Sequence, residues 1–445
     1  MQDVAQNTPV KDSQGVFIST YGCQMNVNDT ERMYSLLEMH NYTPVTSPDQ
    51  ASVIIINSCS VREKPVHKVH SEVGRYKKFK QANPNLKIGV AGCVAQQEKK
   101  QLMKDVPLID FVFGPDAIDD VPNIVNKLKA GESKVVHAKF DHKNPYKIET
   151  LVRNPGVSTF VNIAKGCDNF CSFCIVPFTR GRERSRSLHE IILDVNTLVK
   201  RGVKEVTLLG QNVNSYASQC GADFGKLLKT LATETDIKRI RYTSPHPKDF
   251  NEDLIKIMQD HSNVICESLH MPLQSGNTEV LERMNRGYTR EQFIEKANMI
   301  LKGLPNVAMT TDIIVGFPGE THEQFMDTYN MLDDVPFEAI FAFKYSPRPF
   351  TKAARFTDQV PEDVKSERLN KLFEKHEEVS FELVKRYQDK VEEVLVENVR
   401  DGKAFGRNVQ NKACQFLAPD SLVGEIVKVK IIQAMPHTLR GELVQ

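Results

Sequence analysis

Short apolar runs alternate with longer stretches of helical period along most of this chain, and that alternation restricts the fold more than any other feature. Runs at 16–19, 52–56, 87–91 and 110–113 each precede a segment of helical character, at 29–40, 61–80, 96–103 and 119–128. Strands of this length separated by helices build an open parallel sheet through right-handed crossovers. A second series of strand signals lies at 160–163, 205–209, 239–242, 267–270, 308–315 and 339–342, with helices between. Six such units predict a partial (β/α)6 barrel whose chemistry sits at the C-terminal strand ends. Beyond a charged amphipathic helix at 361–388 the period drops to two, in runs at 391–396, 404–408, 412–416, 425–432 and 438–444. These predict a small antiparallel β-barrel, a shape that often grips nucleic acid. The expected class is therefore α/β, with an N-terminal domain at 14–130, a barrel domain at 153–383 and a terminal domain at 385–445. The polar start reads as disordered and the polar stretch 131–156 as a linker.

Composition sets outer limits. The 445 residues, 40% hydrophobic and 26% charged, are ordinary for a globular protein of several domains, and a net charge of +1 leaves any affinity for polyanions to the distribution of charge. Nine cysteines, an odd number, argue against a disulfide scaffold and for a reducing compartment. The start lacks an apolar signal core, and the run at 53–56 is far too short to span a bilayer, so a cytoplasmic protein without a membrane partner is expected.

The cysteines carry the chemistry. Cys167, Cys171 and Cys174 have C-x3-C-x2-C spacing, and the next candidate ligands, His189 and Cys220, are distant. Three thiolates without a fourth leave one coordination position open, which suits an iron–sulfur cluster with an exchangeable ligand; structural zinc and incidental thiols are the alternatives. Cys23, Cys59 and Cys93 each lie just past a predicted strand of the first series. The C-terminal ends of a parallel sheet share one edge, so these remote residues are expected to meet there, unless they are merely buried core thiols.

Two basic segments flank these cysteines. Arg180, Arg182, Arg184 and Arg186 follow the three-cysteine loop directly, and 62–80 follows Cys59 with aromatic residues interleaved among its lysines and arginines. Each is either a solvated face or a contact for a polyanion such as RNA. Ser187 opens a capping box with Glu190.

Longer motifs identify relatives. Thr20-Tyr-Gly-Cys-Gln-Met-Asn26, Asn57-Ser-Cys-Ser-Val-Arg-Glu-Lys64, Gly92-Cys-Val-Ala-Gln96, the three-cysteine loop, Leu209-Gly-Gln-Asn-Val-Asn-Ser-Tyr216, His270-Met-Pro-Leu-Gln-Ser-Gly276 and Asp312-Ile-Ile-Val-Gly-Phe-Pro-Gly-Glu-Thr321 stand in order along the chain. In these the sequence resembles the radical S-adenosylmethionine methylthiotransferase family, and its last domain resembles that family's TRAM module through Gly406, Arg407, Asn408, Asn411 and Lys412.

The resemblance implies two 4Fe-4S clusters: one on Cys167, Cys171 and Cys174 that binds S-adenosylmethionine, and an auxiliary one on Cys23, Cys59 and Cys93 in an N-terminal methylthiotransferase domain. It implies cofactor contacts from Phe173, Gly210, Gln211 and Asn212, and RNA contacts from Arg407 and Lys412 beside the four loop arginines. The implied partners are the anticodon stem-loop of tRNA and an electron donor such as a flavodoxin or ferredoxin, with the enzyme acting as a monomer. The residues around Cys23 favour the branch that acts on N6-isopentenyladenosine of tRNA. Sister branches modify threonylcarbamoyladenosine of tRNA or a ribosomal-protein aspartate, and a rival of another class is a redox-sensing RNA-binding protein. Two departures stand out. Phe350 and Lys352 replace the family's usual glycine and proline in a turn that contains no cluster ligand, and Asn408 stands where threonine is common. Cys220, Cys266 and Cys414 match no ligand motif and read as partly buried thiols.

Overall fold

A computed structural model describes residues 14–61, 63–140 and 152–444, without the side chains of 63–67. The polar start, the middle of the expected linker and part of the basic segment 62–80 lie outside the described residues. The chain forms two compact units. One holds the N-terminal sheet together with Ile175–Gly181, and the other holds Asn154–Cys174 and Arg182–Gln445.

The first unit is built on six parallel strands: β1 (Gln14–Tyr21), β2 (Tyr42–Pro44), β3 (Val53–Ser58), β4 (Lys87–Gly92), β5 (Phe111–Phe113) and β6 (Val135–His137). Their order across the sheet is β2-β1-β3-β4-β5-β6. Strand β3 is an unbroken apolar run because both of its faces are covered. Val53 and Ile55 pack with Val16, Ile18, Met33 and Leu37 on one side. Ile54 and Ile56 point the other way, against Val69, Val73 and Tyr76. The edge strands β2 and β6 are three residues each, too short to leave a period in the sequence, and β6 falls inside the stretch expected as linker. The helix expected at 96–103 is two short helices, Cys93–Glu98 and Lys100–Asp105, broken at Lys99, whose φ is +51°.

The second unit contains two three-stranded parallel sheets. One orders β7 (Ser158–Asn162), β10 (Glu205–Leu209) and β11 (Arg239–Tyr242) as β11-β10-β7, and the other is β12 (Ser268–His270), β13 (Ala308–Val315) and β14 (Phe337–Lys344). A parallel bridge between Ile240 and Ile265 joins them into the expected six-stranded partial barrel. A small antiparallel pair, β8 (Ala164–Lys165) and β9 (Arg184–Ser185), frames the three-cysteine loop. The barrel's outer faces pack on surrounding helices through Val206, Leu208, Leu228, Phe293, Met309 and Phe337.

The last five strands, β15 (Val391–Arg400), β16 (Lys403–Asn408), β17 (Ala413–Leu417), β18 (Ile426–Met435) and β19 (Thr438–Leu443), close into a barrel in the order β15-β16-β17-β19-β18. It is not wholly antiparallel as expected: β17 and β19 run parallel, because the long β18 returns the chain to the same end before β19 begins. This small barrel is docked by buried charge. Arg239 and Arg241 of β11 donate to the backbone carbonyls of Glu393, Arg407, Asn408 and Val409 at 2.7–2.9 Å. Buried Glu338 of β14 receives Lys412 Nζ at 2.8 Å and the Tyr387 hydroxyl at 2.9 Å. Lys412, expected at the RNA, is thus an internal ion pair that fixes the module. Asn408 is likewise buried, its side chain accepting from the Lys412 amide at 2.8 Å.

Candidate metal centres

Strands β1, β3 and β4 are neighbours, so the loops after them lie side by side. Cys23 caps the helix Gln24–Glu38, Cys59 follows β3, and Cys93 opens the helix after β4. The loops approach so closely that glycine is required twice. A Cβ on Gly22 would lie 2.4 Å from the Cys59 Cβ, and one on Gly92 would lie 2.4 Å from Asn57 Oδ1; both residues have positive φ. Asn57 and Asn26 tie the loops together through a 3.0 Å side-chain hydrogen bond. Cys59 meets both other thiols: its hydrogen bonding lowers Cys23 and Cys93 to about 6, while the pair of neighbours and burial push Cys59 strongly upward. Three soft donors so placed suit an iron–sulfur cluster.

Arg180 enters this first site from the segment after the three-cysteine loop. It is 3% exposed, its Nη2 donates to Asp29 Oδ2 at 2.8 Å, and its charge stabilises the Cys93 and Cys23 thiolates. Among the described residues, no hydrogen-bond partner meets its buried Nη1. A guanidinium held this way is unavailable to RNA, and the expectation for Arg180 is corrected accordingly. Arg186 is corrected too. At 1% exposed, it ties Asp194 (2.7 Å) to the Asn162 carbonyl (3.0 Å) as an internal strut. Among the four loop arginines, Arg182 remains well exposed, lying over the Phe170 ring at 5.0 Å and paired with Asp168 at 2.7 Å, and Arg184 is half-buried in β9. Arg407 is half-exposed, with Nη1 on the Asn411 carbonyl at 3.1 Å.

The central loop holds Cys167, Cys171 and Cys174, all half-buried. Burial pushes the Cys167 thiol up. Gly166 N donates to Gln211 Oε1 at 2.5 Å, so the residue expected at the cofactor also braces the loop. Asn212 is buried, with Nδ2 on Asp249 at 3.2 Å and Oδ1 without a partner among the described residues, an acceptor at the strand end. Gly210 leaves little room, since a Cβ there would lie 3.1 Å from Val213. Phe173 packs on an apolar cluster of Val280, Met284, Phe317 and Tyr345. Glu183 stands near Cys167 and accepts from Ser215 Oγ at 2.5 Å; burial raises its carboxyl to about 7. Among the described residues, no three His, Cys, Asp or Glu side chains gather tightly enough for a single ion.

The segment 283–286 escaped the sequence reading entirely. Ser172 N donates to the Met284 carbonyl (2.9 Å) and Ser172 Oγ to that of Arg283 (2.8 Å), while Asn285 Nδ2 reaches the carbonyls of Asn169 and Phe170. Arg286 Nη1 donates to Cys171 Sγ at 3.3 Å. A polar run between two helices carries no periodic signal, so only proximity reveals it. The Phe350 turn reaches this loop as well: Ala353 N donates to the Ser172 carbonyl at 2.8 Å, so the turn braces the cluster loop. Phe350 retains a left-handed backbone, φ +70°, without glycine. Cys266 and Cys414 are buried as expected, whereas Cys220 is exposed.

Parallel strands feeding a three-cysteine loop at their C-terminal edge define the radical S-adenosylmethionine class. Family profiles agree: 161–332 matches the Radical SAM superfamily, 15–114 the uncharacterized protein family UPF0004, and 385–444 the TRAM domain. A protein of Bdellovibrio bacteriovorus named tRNA-2-methylthio-N(6)-dimethylallyladenosine synthase is 63% identical, covering 100% of this chain and 98% of its own. One of the same name from Aquifex aeolicus is 42% identical over 97% and 99%. The chain belongs to the tRNA-2-methylthio-N(6)-dimethylallyladenosine synthase family. Among solved structures, the radical S-adenosylmethionine methyltransferase TsrM of Kitasatospora setae aligns with a TM-score of 0.55 at 13% identity, covering 77% of this chain and 75% of that one. OxsB, a cobalamin-dependent radical enzyme, aligns at 0.52 and 13%, over 82% and 56%. At such identity the likeness is one of fold. Among the described residues, no helix is long and apolar enough to cross a membrane.

Proposed function

We propose that this chain methylthiolates C2 of N6-isopentenyladenosine at position 37 of tRNA, consuming two S-adenosylmethionine per product. The observation that carries the reading is the pair of cysteine triads, each of three thiols at the C-terminal edge of a parallel sheet. Its full-length relatives, named for this reaction, support it. The proposed division of labour follows three domains, 14–130, 153–383 and 385–445.

An adenine C2–H is neither acidic nor open to ordinary nucleophiles, so side-chain acid–base groups alone are insufficient. When bound, two 4Fe-4S clusters and S-adenosylmethionine supply the radical chemistry that removes this hydrogen and the methylthio group that replaces it. The protein's part is to hold and orient. Cys167, Cys171 and Cys174 would hold one cluster and leave a position for the cofactor, while Gln211 and segment 283–286 keep the loop in shape. The Asn212 Oδ1 acceptor and the Phe173 ring are positioned for polar and aromatic contacts with the cofactor. Cys23, Cys59 and Cys93 would hold the second cluster and leave a position on it for sulfur. Arg182, Arg184 and Arg407 supply RNA contacts to the anticodon stem-loop. A flavodoxin or ferredoxin delivers the electron, and the enzyme works as a monomer in the cytoplasm.

The test is mass spectrometry of nucleosides from isopentenylated tRNA incubated with the reconstituted, reduced protein. The expected product is the adenosine derivative with SCH3 in place of one ring hydrogen, accompanied by 5'-deoxyadenosine. Unchanged nucleosides without 5'-deoxyadenosine would point instead to an RNA-binding sensor.

A further inference from the structure

Arg286 is 6% exposed and spends every hydrogen bond inside the protein: Nε on the Tyr288 hydroxyl at 3.0 Å, Nη1 on Cys171 Sγ at 3.3 Å, and Nη2 on the Pro272 carbonyl at 3.1 Å. Its backbone is set for this purpose. Asn285 and Gly287 on either side have φ of +58° and +70°, so the chain doubles back and drives the side chain inward. The Tyr288 hydroxyl is fixed in turn by the carbonyls of Pro272 and Leu273, both at 3.0 Å. Among the described residues no carboxylate pairs with Arg286. Neighbouring His246, edge-on to Tyr288, is kept uncharged, lowered to about 2 by burial and the nearby cations.

Burying a cation without an anion is strongly unfavourable. The anion within reach here is Cys171, and only as a thiolate, the state in which it ligates iron. Arg180 beside the other triad differs in having a carboxylate partner, Asp29, as well as the nearby thiols. Reduction adds negative charge to an iron–sulfur cluster, and a fixed cation on a ligand sulfur stabilises the reduced form more than the oxidised one.

We infer that Arg286 is a positioning residue for the electron: acting through Cys171, its uncompensated charge raises the reduction potential of the cluster on Cys167, Cys171 and Cys174. The inference rests on the proposed reading of that triad as an iron–sulfur site. It is tested by EPR-monitored redox titration of the full-length chain carrying Cys23, Cys59 and Cys93 as alanine, so that one cluster is observed. R286Q is expected to lower the reduced-to-oxidised ratio at fixed potential at least tenfold, a shift of about 59 mV. R286K, which keeps the charge, is expected to recover most of it. If R286Q holds no iron, protein labelled with 15N in its arginine guanidinium groups decides: pulsed EPR of the reduced cluster should show a 15N coupling that R286K abolishes. An unchanged midpoint in iron-replete R286Q, or no 15N coupling, overturns the inference alone. A parent protein without any cluster overturns the reading of the triad and this inference with it.

Discussion

Replacing Arg180 by methionine tests whether a residue six positions beyond Cys174 belongs to the other triad's interior. Arg180 and Asp29 are 2.8 Å apart, with side chains 3% and 8% exposed, so solvent does not screen the pair. Removing one partner strands the other charge in a buried site, which costs about 3–5 kcal/mol. The loss should fall on the first unit, whose Cys93 and Cys23 also lose a stabilising cation. The chain contains no tryptophan, so hydrogen exchange of the β1, β3 and β4 amides in the cluster-free protein is the suitable assay. R180M should lose protection there, and D29N added to R180M should restore a large part of it, as coupled residues do. Unchanged protection in R180M, or a double variant as weak as the sum of the singles, would refute the buried-pair argument.

Other consequences are smaller in scale. R182Q removes a well-exposed cation, so the slope of log binding against log salt for tRNA should flatten by about 0.7–0.9, whereas folded R180M should keep the parent slope. F350G relieves a left-handed backbone at a side chain 57% exposed, and the urea midpoint should rise by a gain of roughly 0.5–1 kcal/mol after glycine's own entropy cost. Glu183 binds its proton more tightly in the folded chain, with a carboxyl near 7 against an ordinary 4.5. Its contribution to stability is therefore complete below about pH 4.5 and is lost as pH rises to about 7. Urea titrations across that window should show a decline that E183Q lacks.

The strands and both triads were legible in the sequence because their signals are local: apolar runs mark β3 and β13, and strand ends in a parallel sheet share an edge. The errors at Arg180 and Lys412 share one cause. A basic residue in sequence carries no sign of the carboxylate that will meet it. Arg180 finds Asp29 and Lys412 finds Glu338, both far away in the chain, so each turned inward although its neighbours suggested a surface. Arg286 lay in a stretch with no motif, and its role depends on Cys171, again remote. The parallel pairing of β17 with β19 follows from barrel closure, which the alternation of side chains does not specify.

The central claim is that two open triads divide one reaction. Its most direct test is the full-length variant with Cys23, Cys59 and Cys93 all changed to alanine, reconstituted with iron and sulfide and assayed under reduction for iron, 5'-deoxyadenosine and modified tRNA. The account predicts half the iron of the parent, continued cleavage of S-adenosylmethionine, and no methylthio product. Loss of all cleavage while the cluster on Cys167, Cys171 and Cys174 remains intact would contradict it.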